Sequence, residues 1–487
     1  MAAEGVATGE RTDAVVVGGG PNGLAAALTL ARAGHAVAVL EAADAVGGGA
    51  RSAELTLPGY VHDVCSAIHP FGRTSPFFAD AGLEALGLSW IDPPVPLGHP
   101  LDDGSAVLLR RSVDETAAEL GDDGDAWRRL FGPLVRDWPR LMPDLLAPFH
   151  IPLSPARAYT MARFGLLGLQ PASAVARRFD GVRARALFAG AAAHSLIRLG
   201  EVTSAAAALV MLASAHADGW PMPAGGSGEI SRALGRAAEA AGVRIQTGRR
   251  VEAFDGLPPH QVALFDVTPR QLLAIGGDRF SPGYRKALER FRYGPGVFKV
   301  DIAISAPIPW RSTDLAQAGT VHLGGTFEEI ARGEAEINAG RTPERPFVLL
   351  AQQSLFDPGR APDGHHTVWA YCHVPNGSAA DMTETILRQI ERFAPGFRET
   401  ILEISARGPA QLEAYNANNI GGDIGGGRNG LGQLFTRPAW RIDPYTTSDP
   451  DVFLCSASTP PGGGVHGMCG YHAARSAARR LSRSRRV

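Results

Sequence analysis

Asp13-Ala-Val-Val-Val-Gly-Gly-Gly-Pro-Asn-Gly23 sets the architecture of this chain. Val15 to Val17 is a short β-branched run of the kind buried in a parallel sheet. Gly18 permits a tight exit from that strand, Gly20 has no Cβ to hold off a pyrophosphate, and Gly23 lets the next helix lie close to the strand. Pro21 and Asn22 complete the turn. The first amides of a helix have no internal partner, so they and the helix dipole face an anion. Working outward, Leu24 to Ala33 reads as the helix, Gly34 as its stop, and Ala36-Val-Ala-Val-Leu40 as a second buried strand ending at Glu41. An acid at this spacing accepts hydrogen bonds from ribose hydroxyls and repels a 2′-phosphate. Strand, turn, helix, glycine, strand and acid in this order form a dinucleotide site.

Composition bounds the rest. The chain has 487 residues, 45% of them hydrophobic, enough for two or three domains. A net charge of −2 gives no electrostatic case for nucleic acid. Cys65, Cys372, Cys455 and Cys469 are scattered with no Cys-x-x-Cys, which argues against a disulfide framework, thiol exchange and a metal site. Lys286 and Lys299 are the only lysines among 47 basic Lys/Arg residues. With abundant Ala and Gly, this bias points to a GC-rich bacterial genome. Residues 1–12 lack the regions of a signal peptide and read as a flexible N-terminus. The longest apolar run, Ala205 to Ala215, is too short to span a bilayer. A cytoplasmic protein is expected. The arginines of 475–486 read as a solvated helix end, with weak peripheral membrane contact as the sharper alternative.

Two further glycine-rich segments refine the ligand. Val46-Gly-Gly-Gly-Ala-Arg51 precedes Pro58-Gly-Tyr-Val-His-Asp63. Near the C-terminus, Pro461-Gly-Gly-Gly-Val-His-Gly-Met468 opens the last helix. These segments resemble the phytoene desaturase and amine oxidase superfamily of FAD-dependent oxidoreductases. The Met468-Cys-Gly-Tyr471 ending is similar to one subgroup of its desaturase-like members. The resemblance implies FAD as cofactor, with Gly18, Gly20, Pro21, Asn22, Gly23, Glu41, Gly48, Gly49, Arg51 and Val251 around its dinucleotide part. It also implies Gly464, Val465, Gly467 and Met468 against the flavin ring, where the positive end of the last helix stabilises charge on the reduced ring. Ala50 before Arg51 and Cys65 in place of a more usual glycine depart from the family pattern.

The expected fold class is α/β. A Rossmann-type FAD-binding domain is built from discontinuous segments, 13–75, 220–259 and 430–487. An α+β substrate domain with a mostly antiparallel sheet and a helical cap takes 76–219 and 260–429. Alternation predicts strands over 297–305, 348–353 and 367–373, and a helix over 381–393. The 76–219 insertion reads as mostly helical, with Ala/Leu-rich runs at 176–198 and 203–216.

Three residues are candidates for catalysis. Alternation puts Lys299 and Asp301 on one strand face, opposite Phe298, Val300, Ile302 and Ile304. In amine oxidases, which this strand resembles, such a lysine holds a water beside flavin N5; a surface pair with Asp301 is the plainer alternative. His466 sits on the flavin turn, and His69 at the junction of the two domains, each placed to move a proton. His194 reads as a core histidine. Asn416 to Gly427 resembles the loop that returns the chain to the flavin domain. The expected activity is that of a desaturase or dehydrogenase moving hydride from a C–H of a small, largely apolar substrate, polyene or isoprenoid-like, to the flavin. Oxygen, a quinone or a nicotinamide is the expected acceptor. A flavin amine oxidase using oxygen, a flavin-dependent isomerase and a non-catalytic FAD-binding partner are the alternatives.

Overall fold

The computed structural model describes residues 12–484. In chain order its strands are β1 (Ala14–Val17), β2 (Val37–Leu40), β3 (Ser52–Glu54), β4 (Val61–Asp63), β5 (Trp90–Ile91), β6 (Val95–Pro100), β7 (Ala106–Leu109) and β8 (Met222–Pro223). There follow β9 (Arg244–Gln246), β10 (Val262–Phe265), β11 (Gly296–Ile304), β12 (Ala318–Leu323), β13 (Val348–Ala351), β14 (His366–Val374), β15 (Ile401–Arg407) and β16 (Val452–Leu454).

Five strands form a wholly parallel sheet in the order β16-β10-β1-β2-β9. Apart from the edge strand β9, Arg-Ile-Gln, their runs are apolar on both faces because both faces are covered. On one side Val16, Val39 and Leu264 pack with Leu30 of helix Pro21–Arg32 and with Ala473 and Ala477 of the last helix, Met468–Ser484. On the other, Val15, Leu40 and Phe265 pack with Leu272, Tyr284 and Leu288 of helices Pro269–Gly276 and Pro282–Glu289. The boundary expected at residue 259 is therefore wrong. Strand β10 lies inside the Rossmann-type sheet, between β16 and the central β1, and residues 262–289 belong with it. The Leu264-Phe-Asp-Val-Thr-Pro269 stretch reads in the sequence as the strand that returns toward the cofactor, and β10 takes that place beside β1. Residues 1–11 of the expected flexible N-terminus lie outside the described residues. Thr12 is buried, with its amide donating to the Pro259 carbonyl (3.1 Å).

The second sheet has the order β15-β11-β14-β13-β12-β6-β7, antiparallel throughout except where β6 runs parallel to β12. The 76–219 insertion supplies β6 and β7 as well as helices, so it is less purely helical than its composition indicates. Along β11 all nine residues are buried. Phe298, Val300, Ile302 and Ile304 form one core with Ile386 and Ile390 of helix Thr383–Phe393. The opposite face is roofed by helices Trp138–Leu145, Pro155–Gly168 and Ser204–Ala217. Between that face and the roof lies the site. Among the described residues no helix is long and apolar enough to cross a membrane.

Three of the C-terminal arginines are engaged with the protein. Arg479 reaches Asp443 (3.0 Å), Arg480 reaches Asp451 (2.7 Å), and Arg475 lies over the Tyr471 ring. Arg485 and Arg486 lie outside the described residues.

Candidate functional site

A cavity of about 650 Å³ runs from the parallel sheet to the second sheet, within the range of small-molecule and cofactor sites. Gly20, Pro21, Asn22, Gly48 and Gly49 line one end. The φ of +105° at Gly18 turns the chain out of β1. A Cβ on Gly23 would lie 1.9 Å from the Gly18 carbonyl oxygen, so only glycine brings this helix so close. Gly18 and Gly23 thus shape the turn from behind and do not line the cavity. The helix has no side-chain N-cap, and Asn22 Oδ1 and the nearby Ser458 Oγ are buried without partners. An open helix end, glycine walls and orphaned polar atoms fit the diphosphate of a dinucleotide.

Glu41 is held at the end of β2. Its carboxylate accepts from the Gly19 amide (2.7 Å) and the Ala43 amide (2.8 Å). Arg51 is turned away from the cavity. Its guanidinium donates to the Ala45 carbonyl (2.7 Å) and lies 3.4 Å from Glu41, closing the glycine loop. The expected contact with a diphosphate is therefore not preformed, because the carbonyls of its own loop are nearer. Val251 follows β9 and packs beneath the sheet's second face, also outside the cavity lining.

Sequence reasoning missed Asp266, which follows β10 and faces the turn. Its Oδ2 accepts from the Gly23 amide at 2.9 Å, and a Cβ on Gly20 would come within 2.8 Å of the same oxygen. Burial pushes this carboxyl up to about 7; the Gly23 amide opposes the shift and Glu41 adds to it. Its folded-state value is raised, so its stability contribution is full below the ordinary carboxylate range and is lost as pH rises through about 7. The same charge would repel a diphosphate. FAD affinity should therefore weaken by up to about tenfold per pH unit above neutrality, and Asp266→Asn should flatten the profile and tighten binding. Fluorescence titration of FAD against pH measures this.

The C-terminal turn closes the same end, with Gly463, Gly464, Val465 and His466 lining the cavity. Gly467 and Met468 lie behind it. A Cβ on Gly467 would strike Phe77 and Ala25, and Met468 is packed in the core. The His466 ring is occupied in shaping the turn: Nδ1 accepts from the Met468 amide (3.1 Å), capping the last helix. Burial pushes it down to about 4 against the raising effect of hydrogen bonds with the Gly463 and Gly462 backbone. It is a neutral cap, which leaves little room for the proton-moving role expected of it.

His69 lines the cavity beside this turn. Ser227 Oγ donates to the Ser66 carbonyl (2.6 Å), so at 2.8 Å it must accept from His69 Nε2–H. That assignment leaves Nδ1 as the acceptor. Burial pushes His69 down to about 4. Behind it, Asp63 accepts from the Ser227 amide and from Arg360 (2.7 and 3.0 Å). Burial would raise the Asp63 carboxyl, but Arg360 and these hydrogen bonds outweigh it and hold the value below the ordinary carboxylate range.

Lys299 is 2% exposed and lines the cavity from β11, so the surface-pair alternative is wrong. Both strand faces are covered, which alternation alone does not reveal. Its ammonium pairs with Asp301 and lies 5.6 Å from the Trp369 ring centroid. His62 Nδ1 approaches the other Asp301 oxygen at 3.6 Å. Burial lowers Lys299 and raises Asp301 to about 6, each against the attraction of the other. The loop expected to return to the flavin domain also reaches the cavity, through Asn416, Asn418, Asn419, Asp423 and Gly425. Among the described residues no cluster of three or more His, Cys, Asp or Glu side chains could hold a metal ion.

Residues 16–80 match the family model described as an NAD(P)-binding Rossmann-like domain. With this fold and site, the chain is a flavin-type oxidoreductase similar to proteins of the phytoene desaturase and amine oxidase superfamily. Among its relatives is the rat protein "Pyridine nucleotide-disulfide oxidoreductase domain-containing protein 2", 26% identical over 95% of this chain and 92% of the relative. Hydroxyneurosporene desaturase of Rhodobacter capsulatus is 27% identical over 95% of this chain and 97% of its own. A putrescine oxidase structure shares the fold, with a TM-score of 0.62 at 17% identity, covering 97% of this chain and 99% of that one.

Proposed function

We propose that the chain is an FAD-dependent dehydrogenase or desaturase that oxidises a C–H bond of a largely apolar substrate. One observation carries this reading: a single cavity joins the two glycine turns to an apolar roof of Met142, Leu145, Phe164, Ala206, Val210 and Met211. FAD, when bound, would supply hydride acceptance there. The chain's own residues orient the substrate, exclude water and hold neutral groups beside the reacting bond. Gly20, Asn22, Gly48 and Gly49 would hold the diphosphate, Glu41 the ribose, and Gly464 to His466 the ring. Lys299 lines the cavity from within β11, where a cation or its water could face the ring.

Anaerobic mixing of the FAD-loaded protein with polyenes, alcohols and amines tests the reading. Bleaching by an apolar alcohol or polyene supports it. Bleaching only by amines, with peroxide released on aeration, would favour an amine oxidase. Exposed apolar side chains beside the cavity-lining Leu146, Phe164 and Leu434 also support weak peripheral membrane contact. They include Phe149, Ile151, Leu153 and Leu166, and Phe149 meets Phe435. Co-sedimentation with vesicles should fall when Ile151 and Leu153 are changed to serine; an unaltered pellet would remove this part.

A further inference from the structure

The cavity's floor is the opposite of its roof. On the sheet face turned to the cavity, Lys299, Tyr371, Leu349 and His322 stand in one cross-strand row. Asp301, Trp369, Ala351 and Thr320 stand in the next. Lys299 is thus three strand spacings from β12, roughly 14 Å. At that far side His194 Nε2 meets His322 Nε2 at 3.1 Å, so one imidazole donates and the other accepts. Thr320 is two residues from His322 on the same face, and Ser195 directly follows His194. Thr320 and Ser195 are 1% and 4% exposed, both line the cavity, and neither hydroxyl has a hydrogen-bond partner.

Two orphaned hydroxyls lining one cavity, each a near chain neighbour of one of the paired imidazoles, are costly unless a ligand satisfies them. Among the described residues no carboxylate, lysine or arginine lines this end of the cavity. Burial and the neighbouring imidazoles push His194 down to about 3 and His322 well below its ordinary range. Nearby, Glu334 Oε1 bonds His373 Nδ1 at 2.7 Å, and Glu334 itself does not line the cavity. An ammonium or carboxylate would lose its water there with nothing to replace it. A neutral oxygen would gain donors and lose little.

We propose that Ser195, Thr320 and the His194–His322 pair form a distal subsite that takes an uncharged hydroxyl or carbonyl oxygen at the far end of the substrate. The inference rests on the proposed function, since it places the reacting bond at the Lys299 side. The substrate is then an elongated, apolar molecule with a neutral oxygenated end.

The test uses FAD-loaded protein and reads ligand affinity from perturbation of the flavin spectrum, without turnover. Decan-2-one and decan-1-ol should bind at least about tenfold more tightly than decylamine or decanoate. Ser195→Ala and Thr320→Val should each weaken decan-2-one by about three- to tenfold while leaving decane unchanged. Thr320→Val should also raise the thermal midpoint, because it removes an unsatisfied hydroxyl. Charged probes binding as tightly as the ketone, or variants that affect ketone and decane alike, would overturn the inference while leaving the proposed function standing. A protein that takes up no FAD would end both.

Discussion

Gly23→Ala should cost about 3 kcal/mol or more of stability and abolish retention of FAD, because the added methyl meets backbone and not a side chain that could turn aside. Its Cβ would stand 1.9 Å from the Gly18 carbonyl oxygen. The helix cannot retreat, because on its other flank a Cβ on Gly470 would lie 1.8 Å from the Asn22 carbonyl oxygen. Helix Pro21–Arg32 is thus clamped between the exit of β1 and the last helix, each contact made at a glycine. Moving it would shift Gly20 and Asn22 out of the cavity and open the turn. Gly132→Ala is the control: it lies in helix Gly124–Arg136 with open space around it, and should stabilise by about 0.5–1 kcal/mol. Thermal unfolding and flavin content of the purified variants measure both effects.

Lys299→Met should be the second severe change, costing about 3–5 kcal/mol, because it leaves the Asp301 carboxylate buried without its cation. Asp301 is fully enclosed, and its other oxygen faces only His62 at 3.6 Å. Burial has already raised Asp301 to about 6, and losing the ammonium raises it further. The sign follows: the variant's folded state would prefer the protonated acid, so its deficit should shrink as pH falls toward the ordinary carboxylate range and be largest at neutral pH. Adding Asp301→Asn should restore most of the lost stability, since an amide in that place needs no counter-ion. If Lys299→Met also slows flavin reoxidation in that repaired background, the lysine acts on the cofactor; if it does not, its role is to neutralise Asp301. Thermal midpoints across pH and stopped-flow reoxidation separate the two.

Much of the flavin end was legible because its information is local. The turn Gly18 to Gly23, the acid Glu41 and the closing turn at Gly464 to His466 are short motifs whose backbone demands leave few alternatives. Alternation along 297–305 also assigned Lys299 and Asp301 to the correct face, but a face does not say what covers it. Strand β6 was hidden because Val95-Pro-Leu-Gly-His-Pro100 carries two prolines, an argument against a strand inside a sheet. Strand β12 begins Ala-Gly and is too short to show a period. Asp266 sits 243 residues from the amide it meets, and His194 pairs with His322 across 128 residues. Such pairings arise from tertiary packing. The distal polar corner was therefore invisible, while the apolar roof could be read from its composition. For the same reason Arg51 was expected at a ligand and is found on the carbonyls of its own loop.

In the proposed function both glycine turns grip one flavin dinucleotide. The direct measurement is an equilibrium titration of purified, flavin-free protein with FAD, read by visible absorbance and flavin fluorescence, with NAD and FMN in parallel. One FAD per chain, bound far more tightly than NAD or FMN and lost in Gly23→Ala, is the predicted result. A protein that stays colourless in excess FAD, or that binds NAD in its place, would contradict the account.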